Sequence, residues 1–192
     1  DVTSGSIKID GIDVRDFNIK TLRSKIGFIR QKTLLFTGSI KSNIKFGKRK
    51  ASHEEMVHSA KVAQAYDFIN KKEKKFDEHI GEGGSNVSGG QKQRLSIARA
   101  LVRKPEIYIF DDSFSALDFK TDAILRAELK KETTHAIVLI VAQRIGSIMD
   151  ADKIIVLDEG NVVGIGKHKE LLKTCSVYKE IALSQLTEEE LA

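Results

Sequence analysis

One cysteine, one proline and no long apolar run: these scarcities set the first limits on this 192-residue chain. Cys175 has no second cysteine to pair with, so no internal disulfide can form, which fits a reducing compartment. No stretch approaches the ~20 consecutive apolar residues of a bilayer-spanning helix. The five histidines (His53, His58, His79, His135 and His168) lack the spacing of metal ligands and read as surface or packing residues. Heptads are missing too, which argues against a coiled coil. What remains is 41% hydrophobic, enough for the core of one domain or most of one. The net charge of +5 suits anionic phosphates or an anionic membrane face, and equally a plain solvated surface.

The most informative stretch runs from Asn86 to Asp118. It opens with Ser88-Gly89-Gly90-Gln91, a good N-cap followed by glycines that let backbone N–H groups face outward at the positive end of a helix. An amphipathic run to Arg103 follows, and Pro105 ends that helix. Ile107 to Phe110 is apolar throughout, as expected of a strand buried on both faces, and Asp111 and Asp112 stand at its exit. Open α/β sheets place ligand chemistry at the C-terminal ends of their strands. An anion site followed by metal-binding carboxylates points to a nucleotide.

Together with Ser115-Ala116-Leu117-Asp118, these segments resemble the signature motif, Walker B strand and D-loop of an ABC-transporter ATP-binding domain, departing in the signature only at Val87. The resemblance implies an α/β fold: a P-loop NTPase-like core with a mostly parallel sheet, an N-terminal antiparallel β-hairpin and an α-helical subdomain. Residues 1–33 and 96–192 would form the core and about 34–95 the helical subdomain. It also implies ATP and Mg²⁺ as ligands, Asp111 holding the metal and Asp112 acting on the attacking water. Gln31 would reach both metal and water, and Gln143 would stand where a γ-phosphate sensor is expected. Ser88, Gly89, Gly90, Gln91 and Asp118 would contact nucleotide across a dimer interface. No G-x-x-x-x-G-K-[ST] loop occurs; Gly47-Lys48-Arg49 and Gly166-Lys167-His168 each lack the upstream glycine and the following Ser or Thr. The chain is therefore expected to be a fragment cut just after that loop, and to bind ATP weakly by itself.

Two departures bear on mechanism. Asp112 occupies a position where the family usually has Glu, and Gln143 one where it usually has His. Aspartate is one methylene shorter, which withdraws the carboxylate by roughly 1 to 1.5 Å, and misplacement by about 1 Å can cost on the order of 10²-fold in rate. Glutamine can donate a hydrogen bond but cannot carry positive charge toward a transition-state phosphate. Both changes in one site suggest a degenerate half of a heterodimeric exporter, whose signature completes the competent site on a partner domain. An active homodimer, or an ABC ATPase acting on DNA or in translation, are the alternatives.

Elsewhere, residues 5–14 read as a hairpin turning at Asp10-Gly11, Asn18–Lys25 as a short helix, and Ile26–Ile29 as a buried strand. Apolar residues recur at helical spacing between His53 and Asn70 at Met56, Val57, Ala60 and Ala63, with Val62, Ala65 and Phe68 off the stripe. Lys71–Lys75 reads as a solvated loop, and no nucleic-acid partner is expected. Ala123–Lys131 reads as a helix and 136–142 as another buried strand. A second hairpin turns about 158–160, and the helical remainder ends in an acidic tail at Glu188, Glu189 and Glu190. Leu34–Ile44 resembles the exporter form of the segment after Gln31. By resemblance, the Gln31 loop and the Glu82 region would meet an exporter's transmembrane domain, itself absent from this chain, at the cytoplasmic face of the plasma membrane.

Overall fold

Asp10 and Gly11 both take positive φ, 52° and 81°, the mirror-image turn whose twist matches that of its flanking strands. They join β1 (Lys8–Ile9) to β2 (Ile12–Asp13) in an antiparallel pair. This hairpin opens a computed structural model that describes residues 2–187 as two compact units, divided between Leu139 and Ile140.

In the first unit Asn18 caps α1 (Ile19–Lys25), its Oδ1 accepting from the Lys20 N–H at 2.9 Å. That helix runs directly into β3 (Ile26–Ile29). A connecting loop leads to β4 (Gly38–Ser39) and α2 (Ile40–Lys45), whose N-terminus carries a reciprocal cap between Ser39 and Ser42. The stretch expected as one helical stripe is two helices, α3 (His53–Val62) and α4 (Tyr66–Asn70). Gln64, at φ 55°, breaks them apart. The break re-aims the chain, so Val62, Ala65 and Phe68 are buried along with Met56 and Ala60, and no single stripe describes them. β5 (His79–Ile80) pairs antiparallel with β4.

Next comes α5 (Gly89–Leu101), followed by β6 (Ile107–Asp111). β6 lies parallel to β3, with Ile26 opposite Ile107 and Ile29 opposite Phe110. Burial along β6 alternates between full and partial, so the strand is not sealed equally on both faces. Phe28 on β3 is 53% exposed, which likewise corrects the expectation of a wholly buried strand. α6 (Phe119–Glu132) starts four residues earlier than expected because Asp118 caps it. β7 (Ile137–Val141) begins beside β6, the Ile137 N–H donating to the Glu106 carbonyl at 2.9 Å. It was expected to be buried, yet Ile137, Val138 and Leu139 are exposed. The order β3–β6–β7 makes it an end strand, and its apolar side chains are uncovered among the described residues.

The second unit is built on β8 (Ile154–Asp158) and β9 (Asn161–Gly166), joined through Glu159 and Gly160, again both at positive φ. α7 (His168–Thr174) and α8 (Ser176–Leu183) close its core, in which Ile154, Val156, Leu171, Cys175 and Tyr178 are buried together. His168 Nδ1 and the Tyr178 hydroxyl, 2.8 Å apart, tie the two helices. The acidic tail at Glu188–Glu190 lies outside the described residues.

Candidate functional site

Two parallel neighbours, β3 and β6, end side by side, and the residues leaving them meet. Gln31, two residues past β3, donates its Nε2–H to Asp112 Oδ2 at 2.9 Å. Asp111 closes β6 and Asp112 follows it. Asp112 sits in the left-handed region at φ 44°, a conformation aspartate tolerates better than most residues. Buried Ser113 locks the two strand exits, its hydroxyl donating to the Ile29 carbonyl at 2.8 Å. The Ser115 hydroxyl donates to the Asp112 carbonyl at 2.8 Å, closing the turn.

The Gln31 amide meets the half-buried Asp112 carboxylate, and half-buried Asp111 precedes it in the chain, so the side chains at this strand exit offer oxygen donors. Magnesium favours such a set, taking one or two carboxylates and keeping several waters. Asp111, Asp112 and Gln31 therefore fit that ion. Among the described residues no three His, Cys, Asp or Glu side chains cluster as a dedicated metal cage.

The glycine turn stands at the head of α5. Ser88 Oγ accepts from the Gln91 N–H at 3.2 Å, and Gln91 Oε1 accepts from the Ser88 N–H at 3.1 Å. This reciprocal cap holds the Gln91 oxygen against its own helix end, leaving the Ser88 hydroxyl proton and the exposed Gly89 backbone for an anion. A Cβ on Gly90 would stand 3.2 Å from the Ala116 carbonyl, so the turn lies against the segment leading to Asp118. Asp118 itself caps α6: Oδ1 accepts from the Thr121 N–H at 2.9 Å and Oδ2 from the Thr121 hydroxyl at 2.8 Å. Those bonds hold its carboxyl below the usual aspartate value. The Asp118-x-x-Thr121 spacing is a legible capping signal.

Three α5 side chains that the sequence did not single out hold this region. Arg94 donates to the Gly90 carbonyl at 3.3 Å and to the Gln64 carbonyl at 2.7 Å, its guanidinium lying 4.9 Å from the Phe68 ring centre. It thereby links the glycine turn to the α3–α4 break. Arg99 donates to the Asn43 carbonyl, Asn43 Oδ1 and the Leu34 carbonyl at 3.0, 2.7 and 3.0 Å. Burial pulls its basicity down, to a pKa of about 10. Gln93, fully buried, bonds the loop on either side of Gln31. Beside these, a cleft of about 330 Å³ is lined by Phe28, Arg30, Leu34, Phe36, Phe46 and Arg99. Glu82 is exposed in a short helical turn in which Gly83 has φ 58°.

The structure thus brings Gln31 and Asp112 together, with Asp111 next to Asp112 at the strand exit, and places Gly90 of the Ser88–Gln91 turn against the run into Asp118. Gln143 belongs to the second unit, where it is exposed and its carbonyl accepts from Gln185 Nε2 at 2.8 Å.

Residues 1–115 match the ABC transporter family. The chain is 43% identical over 188 residues to an uncharacterized ABC transporter ATP-binding protein of Mycobacterium bovis, covering 96% of this chain and 32% of the relative. It is 42% identical to multidrug resistance protein 1 of Entamoeba histolytica, covering 99% of this chain and 15% of that one. Among solved structures, a bacterial Atm1-family ABC exporter with ATP bound superimposes with a TM-score of 0.94 at 37% identity, covering 98% of this chain and 33% of that one. The chain spans about a third or less of these proteins' length. With its parallel β3–β6 pair, its capped glycine turn and this breadth of likeness, the chain belongs to the ATP-binding family of ABC transporters.

Proposed function

We propose that this chain is the ATP-binding part of an ABC exporter and acts as the degenerate half of a heterodimeric pair. In such a pair each ATP lies between one subunit's strand-exit carboxylates and the other's glycine turn. The observation that carries the reading is the 2.9 Å bond from Gln31 to Asp112, which gathers an amide and two carboxylates at adjacent strand ends. Asp111 and Gln31 would hold Mg²⁺, Gln31 would also reach the attacking water, and Asp112 would act on that water from a carboxylate one methylene short. Gln143 replaces a cation at the phosphate sensor with a neutral amide. This face binds nucleotide and turns it over slowly.

The opposite face keeps its parts. Ser88, Gly89, Gly90 and Gln91 with Asp118 complete the competent site of a partner domain. We assign 1–33 and 96–192 to the core and 34–95 to the helical subdomain. The Gln31 loop and the Glu82 region meet the transmembrane domain at the cytoplasmic membrane face, and the cleft lies beside that loop. The cleft's apolar floor with three arginines at its rim suits a short amphipathic segment.

The test is steady-state ATPase of the assembled pair. Asp112→Asn is expected to lower turnover less than twofold, whereas amidation of the partner's glutamate nearly abolishes it. Equal loss from both substitutions refutes the degenerate site.

A further inference from the structure

A buried amide on α5 bonds the loop that carries Gln31 on both sides of it. Gln93 is 2% exposed, and a polar side chain buried that deeply needs partners for both of its ends. It finds them on one loop. Its Nε2–H donates to the Arg30 carbonyl at 3.3 Å, and its Oε1 accepts from the Thr33 hydroxyl. Those two residues bracket Gln31 and Lys32, both exposed and neither helical nor in a strand. One residue further on, the Leu34 carbonyl is taken by Arg99, also from α5. The loop is thus clipped to the helix at residues 30, 33 and 34, and the amide that reaches Asp112 projects from between the clips.

We propose that Gln93 is the positioning residue for Gln31, fixing the reach of its side chain to the Asp112 carboxylate from the same helix that the Ser88–Gly90 turn begins. Gln93 touches neither nucleotide nor water in this role. It acts by setting the backbone at Arg30 and Thr33, and an error of about 1 Å there is of the size that alters rates. Coupling follows from the geometry. The turn and Gln93 ride on α5, so a shift of the helix moves the loop with it. This deepens the functional reading above and rests on it for the catalytic consequence, though not for the loop geometry.

The first experiment uses this 192-residue chain and reads geometry alone. Gln93→Met keeps the volume and removes both bonds; Thr33→Val removes only the hydroxyl, should the first variant fold poorly. Backbone 15N order parameters from Gln31 to Leu35 are expected to fall clearly in Gln93→Met and less in Thr33→Val, with those of Leu95–Leu101 unchanged. No change in the loop, or an equal fall along α5, overturns the positioning role.

The second experiment measures ATPase in the assembled exporter carrying this chain, as a double-mutant cycle. Gln93→Met is expected to lower the kcat of this chain's site, isolated by amidating the partner's glutamate, about tenfold with KM for ATP within twofold. In a Gln31→Ala background it should cost nothing more. The same tenfold loss in both backgrounds shows a general structural defect and refutes the proposal. If the loop loosens as expected while Gln31→Ala leaves that slow turnover untouched, the positioning stands and the catalytic reading of Gln31 falls.

Discussion

Asn43 offers the sharpest test of how the loop after β3 is held. It is 1% exposed, and both ends of its amide are spent. Oδ1 accepts from the Phe36 N–H at 2.9 Å and from Arg99 at 2.7 Å. Nδ2 donates to the Phe36 carbonyl at 2.8 Å and to the Ser39 carbonyl at 3.1 Å. Asn43→Leu keeps the volume and removes all four. Three neutral bonds at about 1 kcal/mol each and one to a charged group at about 2 kcal/mol give a loss near 5 kcal/mol. Burying the added apolar atoms returns about 2 kcal/mol, leaving a net loss of about 3 kcal/mol. For a chain of this size that is a fall in Tm of about 6–12 °C. Urea unfolding of the 192-residue chain followed by far-UV circular dichroism measures it. A loss under about 1 kcal/mol would falsify the reasoning, because it would mean that the loop finds water or other partners without cost.

Two further outcomes follow from single positions. A Cβ on Gly47 would stand 2.0 Å from the Arg99 carbonyl oxygen, backbone against a helix, so Gly47→Ala should cost about 1–3 kcal/mol in the same unfolding assay; a neutral result means that the α2–α5 contact is looser than described. Asp118→Ala should lower Tm at neutral pH. Because the folded carboxyl titrates below its ordinary 3.8, the cap's contribution is full above that value and is lost as pH falls through the folded pKa. The difference in Tm between wild type and Asp118→Ala should therefore shrink below about pH 4; a difference unchanged at pH 2.5 removes the charged cap.

Strand ends and turns were legible because each rests on local chemistry. Asp10-Gly11 dictates a mirror-image turn, Asn18 announces a cap, and Ile26–Ile29 and Ile107–Phe110 are short apolar runs bounded by polar residues. The meeting of Gln31 with Asp112 was legible only through resemblance, since nothing in either segment states that the two strands are neighbours. Burial was the least legible. Ile137–Leu139 reads as core by composition, yet exposure depends on what lies beside a strand, which no local pattern encodes. The α3–α4 break was hidden for a different reason. Gln64 is not a residue whose type predicts positive φ, and the bend is held by Arg94, thirty positions away in sequence, bonding its carbonyl.

That last case bears on how the site works. Arg94, Gln93 and Arg99 leave α5, and Arg103 follows two residues past its end, to bond main-chain carbonyls of other segments, at Gln64, Arg30, Leu34 and Asn43, and Arg23. A carbonyl bonded by a side chain constrains the path of the backbone whatever residue type occupies that position. This explains why the loop from Arg30 to Phe36 can be mostly exposed and still keep a defined course. The glycine turn needs Gly90 small for its approach to Ala116, while the rest of α5 is free to serve as a rail. A helix with an anion-facing end and a side that grips the Gln31 loop has few ways to move one without the other. Interfaces packed in this manner shift between discrete arrangements rather than deforming smoothly. A change at Ser88 should therefore be read out at Gln31 as a displacement of the whole loop, and loosening the grip at Gln93 should uncouple the two, freeing the Gln31 loop while the Ser88 turn stays in place.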